Sequence, residues 1–305
     1  MKKMSETIVF FGSGPVAAET LQFLSHYFTI EVVITKPVPG HHKQPAPVEV
    51  VAKDSHLPVA FAGTKLELDK LIKTLGLQSR LGLIVDYGVI VSAETIKAFE
   101  LGIVNSHFSL LPQWRGADPI TFAILSGQAK TGVSLMVIEP ALDTGKLITQ
   151  KSLTIQPDDT TPTLTEGLIK LSNQLLVEYL PRYVAGTVKP HAQPHPHRAT
   201  YSRKLTKEDG VIDWTKPAEQ LEREIRAFID WPKSRTTLAG KEVIITKAHA
   251  ISTQPPKSKP GDVEVARQTK ALAMVTGKGS LWIQKLKPIG KPEMADRSFI
   301  NGYLT

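Results

Sequence analysis

Short unbroken apolar runs punctuate the first half of the chain. The first, Ile8-Val9-Phe10-Phe11, has the texture of a strand buried on both faces of a parallel sheet. The pattern predicts strands over residues 8–11, 30–35, 81–85 and 102–104, separated by helices over 15–27, 66–75 and 93–99. Pro15 suits the opening turn of the first helix, where its missing N–H would have no partner anyway. Alternation of this kind predicts an α/β domain with a Rossmann-type, mostly parallel sheet. Strand-like segments over 132–138 and 146–155 and a long helix over 162–184 complete it.

The texture then changes. Lys189-Pro190-His191-Ala192-Gln193-Pro194-His195-Pro196-His197 holds three prolines and three histidines, which predicts an extended, exposed linker rather than a metal site. Beyond it lie a helix over 218–228 and short strands over 241–247, 271–275 and 281–285, punctuated by glycine and proline. That spacing suits a small β-barrel of the oligonucleotide-binding kind. The predicted organisation is a first domain over 1–186, a linker over 187–204 and a second domain over 205–305.

Composition supports two globular domains in 305 residues and removes several classes of function. There is no cysteine, so a disulfide framework, a thiolate zinc site and a cysteine nucleophile are excluded together. No apolar run approaches the ~18 residues of a membrane-spanning helix. The charged start leads directly into a strand rather than a signal-peptide core, and the expected location is the cytoplasm. The formal charge of +8 is unevenly divided: residues 187–305 carry +9 and the rest −1. A basic second domain on a nearly neutral first one suits a polyanionic partner. Nucleic acid is favoured over a membrane surface, because Glu219, Glu222 and Glu224 interleave with Arg223 and Arg226 on the helix.

Gly12-Ser13-Gly14-Pro15-Val16-Ala17 formally matches the dinucleotide motif G-x-G-x-x-G/A after a first strand. That motif needs an acidic residue about 20 positions on to hold the ribose. Thr35-Lys36-Pro37 stands there instead, so the preferred reading is a tight turn into a helix, with no nicotinamide cofactor; Lys36 beside a 2′-phosphate leaves NADP as the alternative.

More informative is Asn105-Ser106-His107-Phe108-Ser109-Leu110-Leu111-Pro112-Gln113-Trp114-Arg115-Gly116, which begins where a strand ends. Open α/β sheets place ligands at that edge. Asn105 and His107 lie two apart on extended backbone and project to one side. An amide donor beside an imidazole makes an oxyanion site with a proton carrier. Leu142-Asp143-Thr144-Gly145 adds a carboxylate before a glycine turn. An ordinary structural histidine and a common turn are the alternative.

His107-Phe108-Ser109-Leu110-Leu111-Pro112 with Arg115-Gly116, and Leu142-Asp143-Thr144-Gly145 further on, resemble the active-site pattern of formyltransferases that use 10-formyltetrahydrofolate. In the second domain, Tyr201-Ser202-Arg203-Lys204-Leu205-Thr206-Lys207-Glu208, Ile212-Asp213-Trp214, Ile225-Arg226-Ala227-Phe228 and Trp231-Pro232 resemble the branch of that family acting on methionyl-tRNA. The resemblance spans nearly the whole chain. It implies that Asn105, His107 and Asp143 are the catalytic group, and that Ser109, Leu110, Leu111 and Pro112, with Tyr87 and Gly88, line the folate side. It also implies initiator methionyl-tRNA as partner, with no metal; the candidate tRNA contacts are Lys36, Arg115, Arg203 and Lys204, with His41, His42 and Lys43 as substitutes for the family's arginine-rich segment, and the chain is expected to be monomeric.

The chain departs from the family pattern near the site. Asp86 replaces a usual alanine, Phe108 a glycine and Asp118 a small residue. The loop over residues 36–45 is short and lacks the family's arginine-rich segment. A formyltransferase for a sugar nucleotide or other small amine would share the first domain without needing the basic second one. A non-catalytic RNA-binding protein would need the second without the Asn105, His107 and Asp143 group.

Overall fold

A computed structural model describes residues 6–38, 40, 44–253, 258–266 and 271–304. His41, His42 and Lys43 lie outside the described residues. In chain order the elements are β1 (Thr7–Phe11), α1 (Pro15–Leu24), β2 (Thr29–Thr35), α2 (Pro47–Asp54), β3 (Val59–Phe61), α3 (Lys65–Thr74), β4 (Leu81–Ile84), α4 (Ala93–Lys97), β5 (Ile103–His107), β6 (Arg115–Gly116), α5 (Pro119–Ser126), β7 (Lys130–Val137), β8 (Leu147–Thr154), α6 (Thr161–Val184) and β9 (Tyr201–Ser202). They continue with α7 (Ala218–Ala227), β10 (Ser234–Leu238), β11 (Lys241–Ile251), β12 (Val263–Ala266), β13 (Ala271–Val275), β14 (Ser280–Pro288), β15 (Met294–Ala295) and α8 (Asp296–Tyr303). Among the described residues, no helix is long and apolar enough to cross a membrane.

Contacts gather these elements into two compact units. One comprises Met1–Pro119, Lys130–Thr154 and Thr165–Ser202; the other comprises Ile120–Ala129, Ile155–Leu164 and Arg203–Thr305. Residues 187–202 therefore stay with the first unit, and two segments that precede residue 187 go with the second.

The first unit is built on a seven-stranded sheet in the order β3-β2-β1-β4-β5-β7-β8. The first five strands run parallel, β7 runs antiparallel to β5, and β8 runs antiparallel to β7. Unbroken apolar sequence gives unbroken burial: Ile8, Val9, Phe10 and Phe11 are all fully buried. Each such side chain contributes roughly 1.5–3 kcal/mol relative to an exposed one. Phe11 packs with Val32, Ile34, Leu68, Tyr87, Phe99 and Ile103, joining the sheet to the helices on one face. Strand order reverses between β1 and β4, the crevice position where such sheets bind ligands. At this point Gly12 is required by close approach, since a Cβ would come within 2.5 Å of Ala17 Cβ and 2.9 Å of the Val85 carbonyl.

Residues 187–202 are largely exposed, as their prolines predict, but they are not free of the domain. His191 exchanges backbone hydrogen bonds with Leu147 at 2.8 and 2.9 Å. Gln193 is buried, and β9 pairs in parallel with β6.

The second unit carries a six-stranded sheet whose antiparallel ladder follows β10-β11-β14-β13-β12, with β15 added to β14. The closely spaced short strands predict a small β-barrel, and they form an antiparallel half-barrel. Leu221 and Ile225 from α7 and Phe299 and Ile300 from α8 seal its concave core of Val243, Ile245, Leu272, Leu281 and Ile283. α7 shows why its charges and its packing coexist. Leu221 and Ile225 recur on the buried face, and buried Glu224 is paired at 2.8 Å with Lys216.

Candidate active site

β5 lies beside β4 on one edge and β7 on the other, with Asn105 opposite Met136 and next to Ile84. The alternation of a strand sends Ser106 to one face, where its hydroxyl meets Ser172 of α6 at 2.7 Å, and Asn105 and His107 to the other. His107 is buried. Its Nε2 is 3.0 Å from the Trp114 carbonyl; a carbonyl only accepts, so Nε2 carries the proton. Nδ1 faces Asp143 Oδ2 at 3.8 Å. Asn105 is half-buried, and its amide has no hydrogen bond among the described residues.

Asp143 arrives from the turn between β7 and β8. Its φ of 51° is unusual for a residue with a side chain, and several contacts hold it there. The Gly116 amide donates to Oδ2 at 2.7 Å. Gly145, two residues on, lies so close to the Val137 carbonyl that a Cβ would come within 1.8 Å. The sequence thus explains the motif: Asp143 supplies the carboxylate, and glycine at 145 lets the turn fold tightly enough to bring it back against His107.

The loop from Phe108 to Trp114 is locked from below. Ser134 Oγ donates to the Ser109 carbonyl at 2.6 Å and accepts from the Leu111 amide at 3.0 Å. Gln150 Nε2 donates to the Leu111 carbonyl at 2.8 Å, and the Leu111–Pro112 peptide is cis. Of the residues expected on the folate side, Ser109, Leu111 and Pro112 are buried and Leu110 is half-buried. The Ser109 hydroxyl is used internally, donating to Gln113 O at 2.5 Å. Tyr87 is also buried, with its hydroxyl donating to Ala62 O at 2.9 Å; burial pushes that phenol well above its usual range. These two polar groups shape the wall rather than offer hydrogen bonds from it. Gly88 is open at the rim with a φ of 67°.

Asp86 stands at the end of β4, beside the turn that follows β1. Its carbonyl accepts the Ser13 amide at 3.0 Å, and its carboxylate fills the hollow left by Gly14, whose Cβ would be 2.0 Å from Oδ2. The residue reaches solvent, yet the surrounding protein strips enough water from the carboxyl to push it up to about 6, against the opposing charge of Lys36. Phe108 is buried, and Asp118 is half-buried with its amide on Ser202 Oγ at 3.1 Å.

The candidate nucleic-acid contacts divide. Lys36 is half-buried at the Gly12–Gly14 turn, its amide donating to Ser13 Oγ at 3.3 Å. Lys204 is exposed. Arg203 is exposed but forks onto Asp209 at 2.7 and 2.5 Å, which holds that carboxyl well below its usual range. Arg115 requires correction: it is buried, 6% exposed, and its guanidinium donates to Gln193 Oε1 at 2.7 Å, so it is an internal residue rather than a surface contact. Gln193 escaped the sequence reading altogether. Its Nε2 donates to the carbonyls of Asp143 at 2.7 Å and Gly145 at 2.9 Å.

This geometry coincides with a family match along the chain. The formyl transferase family model matches residues 9–180, and the model of the formyl transferase C-terminal domain matches residues 204–304. The chain is 36% identical over 294 residues to a methionyl-tRNA formyltransferase of Roseiflexus castenholzii, covering 94% of this chain and 93% of that one. The chain belongs to the methionyl-tRNA formyltransferase family. A second methionyl-tRNA formyltransferase, from Methylococcus capsulatus, is 35% identical over 301 residues, 97% of this chain and 96% of that protein. Among solved structures, the fold is shared with an N-formyltransferase from Helicobacter canadensis, in complex with folinic acid and dTDP-3-aminofucose. Its TM-score is 0.67 at 18% identity, over 93% of this chain and all of that one. As a family member this chain is a formyl-transferring enzyme, with the family's two-part architecture.

Proposed function

We propose that the chain transfers the formyl group of 10-formyltetrahydrofolate to the α-amine of methionyl-initiator tRNA, in the cytoplasm and for translation initiation. The observation that carries this reading is the convergence of Asn105, His107 and Asp143 at the carboxyl edge of the sheet, in a chain related to methionyl-tRNA formyltransferases over 94% of its length. The excess of nine positive charges in residues 187–305 supports a polynucleotide as amine carrier.

In this mechanism the amine attacks the formyl carbon, forming a C–N bond and a tetrahedral oxyanion. The open Asn105 amide donates to that oxygen, and His107, protonated on both nitrogens in this step, supplies a second donor through Nδ1–H while Nε2–H stays on the Trp114 carbonyl. Asp143 takes the proton lost by the amine, directly or through water; its Oδ2 already receives the Gly116 amide, which leaves Oδ1 for that work. The intermediate collapses as the bond from carbon to the folate nitrogen breaks, and the proton Asp143 took from the amine is delivered to that nitrogen. Such preorganised donors are worth ~100–1,000-fold in rate each.

Competition between charged tRNAs tests the substrate. Formylation of methionyl-initiator tRNA should outpace that of elongator methionyl-tRNA and of amino-sugar nucleotides at equal concentration. Preference for an amino-sugar nucleotide would replace this reading.

A further inference from the structure

Gln193 lies in a stretch whose composition reads as a spacer, yet it is 7% exposed and joins two loops of the active site. Both N–H bonds of its amide are used, on the carbonyls of Asp143 at 2.7 Å and Gly145 at 2.9 Å, and its oxygen accepts the Arg115 guanidinium at 2.7 Å. The backbone around it is fastened on both sides. Upstream, His191 is paired with Leu147. Downstream, Thr200 accepts the Arg115 amide through its carbonyl and the Trp114 amide through Oγ1, each at 2.9 Å. Residues 191–202 thus form a strap across the turn that carries Asp143 and the loop that carries Trp114 and Gly116.

Those two loops supply both neighbours of the His107 ring: the Trp114 carbonyl at Nε2 and the Asp143 carboxylate at Nδ1. We infer that Gln193 is a positioning residue for formyl transfer, tying the Asp143 turn to the Arg115 loop so that the two nitrogens of His107 keep their partners. The inference rests on the reading of His107 and Asp143 as catalytic. Backbone in the left-handed region, as at Asp143, persists in a residue with a side chain only where surrounding contacts over-determine it. Without the Gln193 amide, two carbonyls of that turn lose their donor and the buried Arg115 loses its acceptor. A displacement of ~1 Å in a reacting group can cost ~100-fold in rate.

The test compares full-length wild type with Gln193→Ala and Gln193→Glu. The glutamate variant keeps the size and the acceptor toward Arg115 but loses both donors to the turn, so it carries the test if the alanine variant does not fold. The expected result is a fall in kcat of about 10–100-fold per folded molecule, with KM for the formyl donor and for the charged tRNA each within about 3-fold of wild type. Unchanged kcat with only a lower melting temperature would make Gln193 a structural tie and overturn the inference, as would failure of both variants to fold. The kinetics are run with whichever amine the wild type formylates. Inactivity on methionyl-tRNA overturns the substrate reading, whereas an unaltered kcat in the variants overturns this one.

Discussion

The Asp86 carboxylate occupies the hollow that Gly14 leaves: a Cβ on Gly14 would stand 2.0 Å from Asp86 Oδ2. A negative charge therefore lies against the turn after the first strand, where a dinucleotide fold would bring its pyrophosphate. The chain keeps the glycines of that motif for packing while setting a carboxylate over the position they would otherwise open to phosphate.

The burial of that carboxyl has a consequence for stability. Its folded value of about 6 lies above the ordinary carboxylate value, so the folded state holds the proton more tightly than the unfolded state. Stability contributed by the group is present at low pH and is lost as pH rises through about 4 to 6. Asp86→Asn should raise the melting temperature at pH 7.5 and leave it nearly unchanged at pH 4. Thermal melts at the two pH values check the sign; an equal shift at both would show that charge is not the cause.

Nicotinamide cofactors should not bind. β2 ends at Thr35 and is followed by Lys36, so no acid stands ready for the ribose, and Asp86 opposes the phosphates. Calorimetric titration with NADH and NADPH should give no micromolar site. Binding of that strength by either would contradict this account of the Gly12–Gly14 turn.

Affinity for tRNA should depend steeply on salt. If three to six of the basic groups in residues 187–305 meet phosphates, the logarithm of affinity falls with that of salt at a slope of roughly −3 to −5. Filter binding of the full chain between about 50 and 300 mM salt measures the slope. A flat response would leave the positive charge with no role beyond solubility.

Substitution at Asn105 and Asp143, the partners of His107 in the proposed catalytic group, should separate chemistry from folding. Asn105→Ala and Asp143→Ala should each lower kcat by at least ~100-fold while the far-ultraviolet circular dichroism stays that of wild type. Asp143→Ala carries the larger effect on local order, since Oδ2 also receives the Gly116 amide.

Legibility in the sequence followed burial. β1 and β4 are nearly continuous apolar runs, β2 is an apolar run broken only by Glu31, and Pro15 marks the start of α1, so these elements are readable within a few residues. The apolar signal marks β5 only as far as Val104, because Asn105, Ser106 and His107 are polar; it stops where the proposed catalytic residues begin, although the strand continues to His107. β3 has three residues and is only half-buried, and β10 is Ser-Arg-Thr-Thr-Leu; neither presents the apolar contrast that marks a strand. The short helix α2 and the almost wholly apolar α5 were also passed over. Within the site, the side chains of Asn105, His107 and Asp143 were visible because local spacing and motif reveal them. Gln193 was not, because its partners lie 78, 50 and 48 residues away and nothing beside it in sequence announces them.

The most direct test is the rate of formyl-methionyl-tRNA formation from 10-formyltetrahydrofolate and charged initiator tRNA, at saturating levels of both, by wild type and by folded His107→Ala. The account predicts efficient formylation by wild type and a loss of at least ~100-fold in the variant. Near-normal turnover by His107→Ala would contradict it.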